Sequence, residues 1–240
     1  MVKTLVTGAN RGIGYQIALQ LALTGNEVII SARTDNSLLD ALGSLEKDGA
    51  DPSKIDGVVM NLNDSVTIEQ AGQYITTNHP DLQQLINNAG IAGDMDKLPL
   101  DTTVEEMKAT MDVNVYGTYQ VIQAMLPVIE KNSGKIANIT GGNQPVAWYN
   151  PTAYRVSKVA LNAVMQSIAI QFFNEKRSVE IFGIFPGGVS TGINGFRQGS
   201  YMKSAEEAGK LIIGIMNDGQ NHNGDIVGPD KTILNKIDFE

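Results

Sequence analysis

Short apolar runs alternate along this chain with longer stretches of helical periodicity, and that alternation limits the folds open to it. The runs are KTLVT at 3–7, EVIIS at 27–31, IDGVVM at 55–60, LQQLINNAG at 82–90, KIANIT at 135–140 and VEIFGIF at 179–185, with a short GDIVG at 224–228. Between them lie helical patterns near 13–23, 36–47, 65–77, 103–131 and 152–173. In the last of these, Leu161, Val164, Met165, Ile168, Ala169 and Phe172 form one stripe. Strands joined by helices of this length are βαβ units, which build a parallel sheet covered on both faces. Near-continuous apolar strands fit that arrangement, because both faces of each strand are buried. The expectation is an α/β, doubly wound sheet of about seven mostly parallel strands, with residues 1–240 forming one domain. The glycine-rich stretch GGVSTGINGFRQGSYMK at 187–203 lies beyond a strand's carboxyl end, where ligands bind in open α/β sheets and a lid would belong.

Composition removes several function classes. The chain has no cysteine, so disulfides and thiolate chemistry are excluded. Its two histidines, His79 and His222, are far apart and without a nearby ligand cluster, so no metal site is expected. A net charge of −8 argues against a nucleic-acid or anionic-membrane partner. The N-terminal MVKTLVTG enters a strand pattern directly, and no apolar run reads as long enough to span a bilayer. A soluble, cytoplasmic protein is the expectation.

The stretch TGANRGIG, Thr7 to Gly14, lies between the first strand and the first helix. Gly8 suits a sharp turn, Gly12 an approach of backbone to a phosphate, and Gly14 close helix–strand contact. The free N–H groups of the helix start, with Asn10, Arg11 and Ile13 in the turn, can hold a pyrophosphate. The spacing Gly-x-x-x-Gly-x-Gly is neither the usual dinucleotide pattern nor a P-loop, which would need a lysine.

At this point the chain resembles the short-chain dehydrogenase/reductase family. TGANRGIG, NNAG at 87–90, Asn114 in DVNVYG, YRVSK at 154–158 and PGGVST at 186–191 match that family's motifs in its order, over essentially the whole chain. The resemblance implies a Rossmann-type sheet and a nicotinamide cofactor. It also implies that Asn61 and Leu62 flank the adenine, that Asn88, Ala89 and Gly90 wall the cofactor, and that Pro186, Gly187, Val189 and Thr191 hold the nicotinamide side. The family usually has Asp where this chain has Asn61. Dimers or tetramers through the helices at 103–131 and 152–173 are implied in the same way.

The end of the second strand bears on cofactor choice. An acid there would bond the ribose 2′-hydroxyl and repel a 2′-phosphate. This chain has Ala32 and Arg33, with Arg11 nearby, and two guanidiniums can bracket a phosphate. NADP(H) is therefore expected, with Asp35 the nearest acid to weigh against it.

Tyr154 and Lys158 are four apart on a helix and so share a face. A phenol ordinarily titrates at about 10, and an adjacent ammonium lowers that value. Tyr154 can then be the general acid in reduction of a carbonyl, or the base in oxidation of an alcohol. By resemblance, Lys158 also bonds the nicotinamide ribose, and Asn114 holds a water behind it. The family's serine stands thirteen residues before the tyrosine, and here that position is Gly141. Thr140, Asn143 or a water could donate in its place, though alternation along a strand should turn Thr140 away. The leading expectation is an aldehyde or ketone reductase. The other is a cofactor-binding sensor with vestigial turnover. The segment 143–151 and the lid at 192–203, with Trp148, Tyr149, Ile193, Phe196 and Met202, are expected to line an apolar pocket for a small-molecule substrate.

Overall fold

The computed structural model describes residues 1–144, 151–237 and 239. The first half repeats one unit. β1 (Lys3–Val6) leads into α1 (Gly12–Leu23), β2 (Glu27–Ala32) into α2 (Asp35–Lys47), and β3 (Ile55–Val59) into α3 (Ser65–Asn78). β4 (Gln84–Asn87) is followed by α4 (Val104–Met111), a π-helical turn (Asp112–Gly117) and α5 (Thr118–Lys131). β5 (Lys135–Ile139), α6 (Thr152–Asn174) and β6 (Glu180–Ile184) complete the core. Then come the paired two-residue strands β7 (Gly188–Val189) and β8 (Met202–Lys203), α7 (Ala205–Met216), β9 (Ile226–Val227) and β10 (Ile233–Asn235).

The main sheet runs β10-β9-β6-β5-β4-β1-β2-β3, and every pair is parallel except β10 with β9. The sheet has eight strands because β10 adds an antiparallel edge that its short exposed residues did not signal. The alternation of a strand splits the core in two. Leu5, Ile29, Ile136 and Ile181 face α3, α5 and α6, while Val6, Ile30, Ala137 and Phe182 face α1, α2 and α7. This double burial is why the strands read as unbroken apolar runs.

Two expectations change. By length and composition alone, α6 is apolar enough to cross a membrane, contrary to the reading that no run is. It packs instead along β6 and α4, and it buries Lys158 and Asn162 against the sheet end. The stretch 187–203 is also more ordered than its glycines suggest, since β7 pairs with β8 and a 3₁₀ turn spans Gly192–Asn194.

Candidate active site

The order of strands reverses between β1 and β4, and the carboxyl ends around that point surround one cleft of about 510 Å³. The turn after β1 forms its floor. Gly8 has φ 62°, and a Cβ there would stand 2.8 Å from Ala89 Cα, so only glycine fits. Thr7 Oγ1 accepts from the backbone N–H groups of Asn88 (3.0 Å) and Ala89 (3.1 Å). Asn88 Nδ2 donates back to the carbonyls of Thr7 and Gly8 at 3.0 and 3.1 Å. The β1 and β4 turns are thereby pinned to each other.

α1 begins at Gly12 behind an extended Arg11 that provides no side-chain cap. Helices α2, α3, α4 and α7 are each capped by a side chain: Thr34, Asp64, Thr103 and Ser204. α5 and α6 are uncapped as well, but Gly12 and Ile13 at the start of α1 line the cleft, so its positive end opens there with no side-chain cap among the described residues, as an anion site requires.

Of the residues expected at a cofactor, Gly8, Asn10, Arg11, Gly12, Ile13, Arg33, Asn61, Leu62, Asn88, Ala89, Gly90, Tyr154, Lys158 and Thr191 line this cleft. Gly14, Pro186, Gly187 and Val189 do not. Gly14 is buried beneath the turn, and Pro186 is tied to the lid strand by Lys203 Nζ, which donates to its carbonyl at 2.9 Å. Asn61 Oδ1 accepts from Asn63 N–H at 3.2 Å, closing an Asx turn. Thr34, Ser37, Asn63 and the carbonyl-bearing Ile139 also line the cleft, and the sequence reading did not include them. The capping pattern Thr34-x-x-Ser37 was the available signal for the first two. Asp35 is exposed in the first turn of α2 and is not among the lining residues, whereas Arg33 is.

Tyr154 and Lys158 both open onto the cleft from α6. Lys158 Nζ lies 5.6 Å from the Tyr154 ring centroid and donates to the Ile139 carbonyl at 2.8 Å. Burial disfavours its ammonium and pushes the lysine down to about 8. Asn114 sits in the π-helical turn, fully buried. Its Oδ1 accepts from Ile91 N–H (2.8 Å), while Nδ2 donates to the Ile91 carbonyl (2.8 Å) and to Ser157 Oγ (2.9 Å). Both amide hydrogens are thus engaged by protein, and Asn114 ties the loop after β4 to the helix that carries Tyr154.

At the strand end, Thr140 is buried and its hydroxyl donates to Asn162 Oδ1 at 2.7 Å, facing α6. Gly141 leaves open the position next to it, where a Cβ would stand 3.6 Å from Lys158 Cβ, an ordinary contact. Of the lid residues, Ile193 lines the cleft, while Phe196 and Met202 do not. Trp148 and Tyr149 lie outside the described residues. His222 does not line this cleft; it is buried between Asp218 (2.9 Å) and Asp225 (3.5 Å), and among the described residues no group of three or more His, Cys, Asp or Glu side chains could hold a metal.

The family model for short chain dehydrogenases matches residues 3–200. Short-chain dehydrogenase anuI of Penicillium roqueforti is 29% identical over 96% of this chain and 95% of its own length. A fatty acyl-CoA reductase of Acinetobacter baylyi is 29% identical over 73% of this chain, a match spanning 59% of that protein. Among solved structures, an NADPH-bound carbonyl reductase from chicken fatty liver superposes with a TM-score of 0.85, at 22% identity, over 96% of this chain and 97% of the other. A short chain dehydrogenase of Salmonella enterica serovar Typhi gives 0.83 at 24% identity over 95% of each chain. At these identities the superpositions speak for the fold, and the family model carries the assignment: the chain belongs to the short-chain dehydrogenases, a family of oxidoreductases.

Proposed function

We propose that this chain reduces an aldehyde or ketone with NADPH, Tyr154 serving as the proton donor. The observation that carries the reading is that Tyr154 and Lys158 open onto the same cleft as the uncapped start of α1. Bound NADPH would supply a hydride to the carbonyl carbon. The residues of this chain do the rest. Tyr154 gives its phenolic proton to the carbonyl oxygen, and the Lys158 ammonium favours the phenolate left behind. The N–H groups of α1 hold the pyrophosphate. Arg33 and Arg11, with Ser37 beside them, meet the 2′-phosphate, and the exposed Asp35 stays outside. The chicken carbonyl reductase, solved with NADPH, supports the same reading by analogy of fold.

A second reading has its own observation. No hydroxyl stands at Gly141, and that of Thr140 is engaged by α6, which favours a cofactor-binding sensor in which turnover is vestigial. NADPH oxidation over a panel of aldehydes and ketones separates the two. Turnover by the wild type, lost in Tyr154→Phe while NADPH still binds, is expected for a reductase. Binding without turnover in the wild type favours the sensor. Cofactor choice is read from affinity. Arg33→Ala should weaken NADPH by roughly tenfold or more while NADH changes little, on the order of one charge-assisted hydrogen bond. Equal losses for both would refute the 2′-phosphate assignment.

A further inference from the structure

Two amides occupy the neighbourhood of the absent hydroxyl. Asn162 is buried on α6, one turn beyond Lys158 and two beyond Tyr154. Its partners fix which end is which. Nδ2 lies 2.9 Å from the Gly141 carbonyl, and a carbonyl oxygen only accepts, so the nitrogen must face it. Oδ1 is left to accept from Thr140 Oγ1. The same Nδ2 stands 2.8 Å from Asn143 Oδ1. Reversing Asn143 would set two N–H₂ groups against each other, so Asn143 presents its oxygen to Asn162. Its own N–H₂ is turned the other way, and among the described residues no acceptor meets it. Asn143 is half-buried, and Arg155 Nη2 donates to its backbone carbonyl at 3.1 Å. That bond ties it to the residue directly after Tyr154. Thr140 faces α6, which leaves the Asn143 amide as a side-chain donor at this edge among the described residues, although Asn143 is not itself one of the residues lining the cleft.

We infer that Asn143 replaces the missing serine as hydrogen-bond donor to the substrate oxygen, and that Asn162 is the positioning residue that orients it. This rests on the reductase reading above. Asn143 Nδ2 donates to the carbonyl oxygen as negative charge develops there and as Tyr154 delivers its proton. Asn162 touches no reacting atom and acts only through the turn at 140–143.

The test uses the full chain, with kcat and KM for a panel substrate and the Kd for NADPH. Asn143→Ala should lower kcat by about 10²-fold, as removal of one such donor does, with NADPH affinity held. Asn162→Asp, which keeps an acceptor for Thr140 but cannot donate, should lower kcat in the same direction with little change in KM. Introducing Gly141→Ser into either variant should restore most of the lost kcat, because a serine hydroxyl then fills the open position. A packing defect would not respond in that way. If Asn143→Ala turns over like the wild type, Asn143 is not the donor, and the reductase reading stands without it. If Asn143→Ala is impaired but Gly141→Ser restores nothing, the loss is not that of a donor and the inference fails. A wild type that binds NADPH and reduces nothing overturns the reductase reading, and the inference falls with it.

Discussion

Lys158 is buried, and among the described residues its ammonium meets the neutral carbonyl of Ile139 and the Tyr154 ring, with no carboxylate beside it. Such a group costs stability, because a neutral acceptor does not replace the lost hydration of a charge. Its folded value is about 8 against 10.5 for the free side chain. The unfolded chain therefore binds more protons between those values, and stability from this group rises as pH climbs from 8 to 10.5. Below pH 8 the penalty is fully present, on the order of 3 kcal/mol. In the cofactor-free protein, Lys158→Met should raise stability near pH 7 by about 1–3 kcal/mol, and its advantage should shrink as pH approaches 10. Urea unfolding at stepped pH checks this, and a difference between the two proteins that does not vary with pH would refute it. Much of this site was legible in single residues. The four-residue spacing put Tyr154 and Lys158 on one face, and strand alternation turned Thr140 away. Asn162 was not legible, because an asparagine inside a helical stripe gives no sign that its partners lie some twenty positions back in the chain.

The π-helical turn between α4 and α5 contributes Val113 to the cleft lining and Asn114 to the bonds behind it. Such turns occur often at functional sites because they re-aim a side chain without ending the helix. Here the turn delivers Asn114 to Ile91 and Ser157 at one end and lays Gly117 on Leu62 at the other. A Cβ at Gly117 would stand 2.3 Å from the Leu62 carbonyl oxygen, although its φ of −62° suits any residue. Gly117→Ala is thus a test of packing and not of backbone freedom. It should cost about 1–3 kcal/mol, as overpacking does, and weaken cofactor binding through the displaced Leu62. A urea midpoint and an NADPH Kd both unchanged would show that the two elements can part without consequence. The sequence marked 103–131 as helical but could not show this turn, since an apolar pattern carries no record of one extra residue per turn. β1, β2 and β4 to β6 were readable because burial on both faces makes them near-continuous apolar runs, whereas the edge strand β3 is only partly buried. α7 was passed over, although Ser204 and Glu207 form a capping box at its start, because it follows the glycine-rich stretch directly. β10 escaped for the opposite reason: an edge strand with two exposed residues has no burial pattern to read.

At the scale of the whole molecule, the π-helical turn, α5 and α6 each leave large apolar side chains exposed. Tyr116 and Tyr119, on the π-helical turn and α5, are 55% and 40% exposed. Val156, Ile170 and Phe173 on α6 are 43%, 43% and 50% exposed. These segments belong to the two helical regions through which the family resemblance implies pairing, and we propose that copies of this chain meet there. Light scattering should then give two or four times 25.8 kDa for the wild type. Tyr119→Glu combined with Ile170→Glu should give the single-chain mass, because a contact of this kind does not tolerate unpaired buried carboxylates. Charge sharpens the test. Each chain carries −8, so assembly brings like charges together, and raising the salt screens that repulsion while it leaves apolar burial in place. Dissociation on dilution should therefore be weaker at high salt than at low salt. An assembly that loosens as salt rises would be held by ion pairs instead, and one chain mass at every salt concentration would mean that these side chains face solvent.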